Sequence, residues 1–127
     1  MTPEDIIDRS FEPQFAGPPL PEFLVEWLRG EAINPVCGDT CIMYVKLELV
    51  GHIEGGVSRR IVDARHVSEG CTICQASADI LCQNVIGQKI DVQINLFHIL
   101  AIPIGINRRQ CVVTPQRALT EALKCIS

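Results

Sequence analysis

Cys41-Ile42-Met43-Tyr44-Val45-Lys46-Leu47-Glu48-Leu49-Val50 is the stretch from which the fold can be read. Ile, Val, Tyr and Leu dominate it, and its side chains nearly alternate. Cys41, Met43, Val45, Leu47 and Leu49 share one face, while Tyr44, Lys46 and Glu48 share the other. A period of two is that of a strand with one side on a core. Working outward, Gly51, Gly55 and Gly56 predict a loose hairpin tip, followed by a second β stretch from Val57 to about Val67. Asp63-Ala64-Arg65 is expected to bend that stretch, which makes a three-stranded antiparallel meander.

Beyond Gly70 the period lengthens. Ile73, Ala76, Ala78, Ile80, Leu81, Val85 and Ile86 give a broad apolar face to a helix over 72–86, with Gly87 as its stop. A further helix is predicted near 91–101. The last runs from about Cys111 or Thr114 to Lys124, with Ala118, Leu119, Ala122 and Leu123 inward. Upstream, Thr2-Pro3-Glu4-Asp5 reads as an N-cap, a first-turn proline and an acidic first turn, opening a helix through about Phe11. Pro13, Pro18, Pro19 and Pro21 mark an extended crossing segment. Phe23, Leu24, Trp27 and Leu28 then recur at helical spacing, so a short helix is expected from Pro21 to Arg29, ended by Gly30. The sum is an α+β fold, a small three-stranded antiparallel sheet with helices packed on it.

The 127 residues suit a single domain, 1–127, with one core. A net charge of −4 and a pI near 5.3 speak against a nucleic-acid surface. The acidic start has no apolar signal core, and the most apolar run, Ile94 to Ile106, is interrupted by Asn95, His98 and Pro103 and is too short to span a bilayer. A cytoplasmic protein without a membrane partner is expected. No phosphate loop, Ser–His–Asp arrangement or paired acid/base carboxylates can be read, so hydrolase and kinase readings have no support.

Seven cysteines, at 37, 41, 71, 74, 82, 111 and 125, are an odd count that does not suggest a disulfide framework in a reducing compartment. Three of them stand at turns. In Cys37-Gly38-Asp39 the two functional side chains are two apart and point the same way if the backbone is extended, and Gly38 leaves room for an ion or a sharp turn. Cys71 follows Gly70 where strand gives way to helix. Cys111 precedes the last helix, with Arg108 three residues before it to stabilise a thiolate or an attached persulfide. The positive end of a helix dipole favours a thiolate at both positions. Thiols with a carboxylate are the ligand set of zinc or of an iron–sulfur cluster, and an ordinary packed loop is the bland alternative. Cys41, Cys82 and Cys125 read as core filler. Cys74 completes a formal Cys-x-x-Cys with Cys71 and reads as a helix residue facing the core or a spare thiol near the site. His52, His66 and His98 stand away from the cysteine turns.

Asn34-Pro35-Val36-Cys37-Gly38-Asp39, Asp63-Ala64-Arg65, Gly70-Cys71-Thr72-Ile73 with Ala76-Ser77, and Cys111 ahead of Ala118-Leu119 together resemble the U-type iron–sulfur cluster assembly scaffolds, of NifU/IscU and SufU type. Ile7 to Gly17 resembles a worn form of that family's opening motif, with Arg9 where the family has histidine. The resemblance implies a SufE/NifU-like fold. It implies that Cys37, Asp39, Cys71 and Cys111 ligate a transient 2Fe–2S cluster built from iron and sulfur, or zinc in the cluster-free form. It implies too that Gly38 and Arg108 support the site and that Cys111 accepts persulfide sulfur from a cysteine desulfurase. The implied function is a non-enzymatic scaffold, monomer or homodimer, that passes its cluster to apo iron–sulfur proteins. The alternative is a zinc-dependent, SufU-like persulfide-sulfur acceptor, with a metal that merely staples the fold as a third reading. Two departures stand out. Gln110 replaces the histidine of the NifU/IscU type, and Ile102-Pro103-Ile104-Gly105-Ile106-Asn107-Arg108 replaces the segment offered to a dedicated Hsp70 chaperone, which weakens the case for that partner. Pro115 is expected to delay the last helix and leave Cys111 on a loop.

Overall fold

The computed structural model describes residues 2–51, 57–90 and 94–124. The hairpin tip with Gly55, Gly56 and His52, and Cys125, lie outside them. Thr2 caps helix α1 (Pro3–Phe11) in a reciprocal box with Asp5: the Thr2 backbone N–H donates to Asp5 Oδ2 at 2.8 Å and the Asp5 N–H to Thr2 Oγ1 at 3.2 Å.

Residues 21–30 are not a helix. Pro21–Glu26 forms a 3₁₀ turn, and strand β1 begins at Trp27 and runs to Ile33. The helical spacing of Phe23, Leu24, Trp27 and Leu28 thus straddles a turn and a strand. β1 pairs antiparallel with β2 (Thr40–Gly51), which pairs antiparallel with β3 (Val57–Glu69), in the order β1-β2-β3. The meander therefore takes its first strand from upstream of the cysteine loop. Asp63-Ala64-Arg65 does not divide β3. Lys46 pairs with Asp63 while Leu47 pairs with Ile61, so Val62 is one extra residue, a bulge absorbed within a continuous strand.

Helices α2 (Thr72–Val85) and α4 (Arg109–Leu123) lie on one side of the sheet, α2 on β3 and α4 on β1 and β2, in contact with each other; α1 packs on α2. The core follows the alternation: Cys41, Met43, Val45, Ile61 and Ala64 from the sheet meet Ala78, Leu81, Val85, Val112, Ala118 and Ala122 from the helices. Leu49 departs from it at 69% exposure, so the helical cover ends before the tip of β2. Gly30 is not a helix stop but the place where α4 lies against β1: a Cβ there would overlap Ala118 O and Ala122 N. Gly87, with φ +89°, does end α2. The helix near 91–101 reduces to α3 (Leu96–Leu100) among the described residues. Pro115 does not delay α4. The helix starts at Arg109 and runs through it, and Thr114 Oγ1 donates to the Gln110 carbonyl at 2.6 Å one turn back.

The outer edge of β3 is covered twice. Gly17 N–H donates to His66 O at 2.9 Å and His66 N–H to Phe15 O at 3.0 Å, while Ile61 exchanges bonds with Gly87 and Gln88. Coverage of this kind protects a strand that would otherwise template pairing with other chains. Among the described residues, no helix is long and apolar enough to cross a membrane.

Candidate metal centre

The site lies where the β1–β2 loop, the β3–α2 junction and the first turn of α4 meet. Asn34 closes the loop, its N–H donating to Asp39 O at 2.7 Å and its C=O accepting from Gly38 N at 2.8 Å. Gly38 has φ +75°, a left-handed conformation that other residues rarely adopt. Cys37 therefore sits on a turn rather than in extended backbone, yet it still reaches the same point as Asp39. At the second corner Cys71 is itself the N-cap of α2, its Sγ accepting from Cys74 N at 3.5 Å. Gly70 has φ +147°, and a Cβ there would overlap the Asp39 carboxylate. The third corner brings Cys111 in from inside the first turn of α4, fully buried.

Cys37 Sγ, an Asp39 carboxylate oxygen and Cys111 Sγ lie within 4.8 Å of one another. Cys71 joins them through Asp39: its N–H donates to Oδ1 at 3.2 Å and its thiol to Oδ2 at 3.8 Å, while the Cys111 thiol donates to Oδ2 at 3.2 Å. Asp39 is 4% exposed and Cys37 is exposed, so the cluster has a buried floor and one open side. Two thiols and a carboxylate at this separation fit a thiophilic metal, and Cys71, outside that tight group, stands next to it on the far side of the carboxylate.

Without a cation these negative-going groups disfavour one another. Burial, the Cys71 side chain and the Asp39 carboxylate push the Cys111 thiol well up, so the start of α4 does not confer the thiolate character expected from its dipole. A cation bound among them would reverse this, and metal uptake would release protons. Arg108 is exposed at the rim. Its guanidinium is held above its ordinary range first by a hydrogen bond with Cys71 and then by the charges of Cys71 and Cys111, so it attends Cys71 more than Cys111.

Cys74 and Cys82 are buried, with thiols pushed up chiefly by that burial, and the Cys41 thiol is pushed up to about 11 by the same cause. Cys41 and Cys82 belong to the core cluster, as expected, while Cys74 is buried next to the site, where Asp39, Cys71 and Cys111 also raise its thiol. His66 serves a different network: its Nε2 is 3.0 Å from Asp79 Oδ1 and its Nδ1 2.8 Å from Ser68 Oγ. Asp79 also accepts from Arg9 and from the backbone of Gln14 and Phe15. Neither this hub nor Asn34 stands out in the sequence as functional. Asn34 is fully buried, and its Nδ2 reaches both Asp39 Oδ2 at 3.4 Å and Cys111 Sγ at 3.7 Å.

The family model of the NifU-like N terminal domain matches residues 1–125. The chain belongs to this family. It is 31% identical over 91 residues to the iron-sulfur cluster assembly scaffold protein IscU of Thermotoga maritima, an alignment covering 72% of the chain and 55% of that protein. The chain thus spans about half the length of this curated relative. Among solved structures, this NifU-like domain is similar to a putative iron-sulfur cluster assembly scaffold protein for the SUF system from Fervidobacterium islandicum (TM-score 0.68, 20% identity, 96% of each chain). It is also similar to the N-terminal part of a nitrogen-fixing NifU-like protein from Brucella abortus (TM-score 0.55, 17% identity, 97% of this chain and 90% of that one). These two likenesses bear out the α+β fold, with its three-stranded sheet and packed helices.

Proposed function

We propose that this NifU-like domain is an iron–sulfur cluster assembly scaffold, 1–127 acting as one unit, with the nascent 2Fe–2S cluster as its cargo. Cys37, Asp39, Cys71 and Cys111 are the proposed ligands. The observation that carries the reading is the convergence of three turns on the Asp39 carboxylate, with both Cys71 and Cys111 in hydrogen-bond contact with it and Cys37 beside it. Cysteine thiolates hold such clusters, and a carboxylate in place of one thiolate makes a weaker grip on iron, which suits a protein that must release its product. Persulfide sulfur would come from a cysteine desulfurase, and apo iron–sulfur proteins would receive the cluster.

The test replaces Cys37, Cys71 and Cys111 by serine, one at a time, and follows cluster formation with desulfurase, iron and cysteine. Each variant should lose the cluster; wild-type yield in all three would refute the reading. A second reading, a zinc-loaded sulfur acceptor, is favoured by the tight grouping of Cys37, Asp39 and Cys111, which has the size of a single-ion site. In it the terminal sulfur of the desulfurase persulfide passes to the Cys111 sulfur, and the desulfurase cysteine leaves as thiolate. Failure of zinc-loaded protein to raise desulfurase turnover would eliminate it.

A further inference from the structure

We infer that Asn34 is a positioning residue for this centre: its side-chain amide donates to both Asp39 and Cys111 and fixes how the carboxylate and the sulfur present themselves to a bound metal. This rests on the proposed role of the site in holding metal or a cluster.

The inventory of an amide side chain matches the three partners of Asn34. Its Oδ1 accepts from Val36 N at 3.0 Å, which fixes the head of the loop. Its Nδ2 carries two N–H groups, and two acceptors lie within reach, Asp39 Oδ2 and Cys111 Sγ. The group is fully buried, so water cannot replace a lost donor at low cost. Its backbone brackets the same loop from Asn34 O to Gly38 and from Asp39 O to Asn34 N. One residue therefore ties the loop bearing Cys37 and Asp39 to the helix bearing Cys111. An aspartate would keep the bond to Val36 but lose both N–H groups and add charge beside Asp39. An alanine would lose all three side-chain bonds and keep only the backbone ones.

A hydrogen bond to a ligating sulfur withdraws electron density from it, so its loss moves thiolate-to-metal charge transfer to lower energy. Loss of such outer partners typically costs about 10–100-fold in metal affinity. The experiment is an anaerobic Co(II) titration of the full chain, wild type beside Asn34→Ala and Asn34→Asp, with melting temperatures measured in parallel. The inference expects red-shifted cobalt–thiolate bands in both variants and a Co(II) affinity about 10–100-fold weaker in Asn34→Ala. Band positions and affinity equal to wild type, whatever the melting temperature, would reduce Asn34 to a structural loop residue and overturn it. Wild-type protein lacking cobalt–thiolate bands would instead overturn the metal-site reading on which the inference rests.

Discussion

Asp39 shows how much one residue can organise. Its carboxylate faces an amide N–H, two thiols and the Asn34 side chain, with Gly38 turning the chain just before it and Gly70 packed against it. Gly70 is the more demanding of the two, since its φ of +147° and its contact with Asp39 both exclude a side chain. Gly70→Ala should strain the backbone by about 1–3 kcal/mol and displace the carboxylate. Zinc affinity measured by chelator competition should fall in that variant, while Gly38→Ala, with open space around its missing Cβ, should cost backbone strain alone. The candidate ligands were legible because unusual residue types stood at turns. Asn34 was not, because an asparagine before a proline reads first as turn chemistry, and its second role needs the Cys111 helix 77 residues away.

At the scale of elements, the buried Asp79 on α2 anchors the N-terminal segment to the sheet through Arg9, Gln14, Phe15 and His66. Burial alone would raise its carboxyl, but the His66 hydrogen bond and the Gln14 and Phe15 N–H groups outweigh it and hold the carboxyl below its ordinary value. This contribution is present above the unfolded-state value near ~4 and is lost as pH falls through the lower native value. Asp79→Asn should cost about 3 kcal/mol at neutral pH and flatten the acid limb of stability, measured by urea unfolding at a series of pH values. Equal stability at neutral pH and an unchanged acid limb would dismiss the anchor. Arg9, standing where the resemblance has histidine, pairs with this carboxylate at 3.1 Å. The strand at Trp27–Ile33 was illegible for a related reason. Its buried inward position is Gly30, made small by the close passage of α4, so hydropathy carries no signal there, while the aromatic spacing before it imitates a helix.

Over the whole molecule the described cysteines divide by place. Cys41 and Cys82 fill the core between sheet and helices, Cys74 is buried beside the site, and Cys37, Cys71 and Cys111 gather at one end of the core with the single exposed thiol, Cys37, on the outside. Strands β2 and β3 and the two long helices were visible in sequence because their periods of two and 3.6 are each sustained over many residues. Which strand came first was not, since strand order depends on the partner that each edge finds. The sheet fixes the distance between the β1–β2 loop and the β3–α2 junction, and α4, lying across β1 and β2, delivers the remaining thiol. That arrangement is the central claim, a rigid layer presenting three sulfurs and one carboxylate to a cargo held for release. The most direct test is iron and sulfide content with the visible spectrum of anaerobic protein after incubation with a cysteine desulfurase, cysteine and iron. Thiolate-to-iron charge-transfer bands with about two irons per cluster are predicted. A colourless protein without bound iron or sulfide would contradict it.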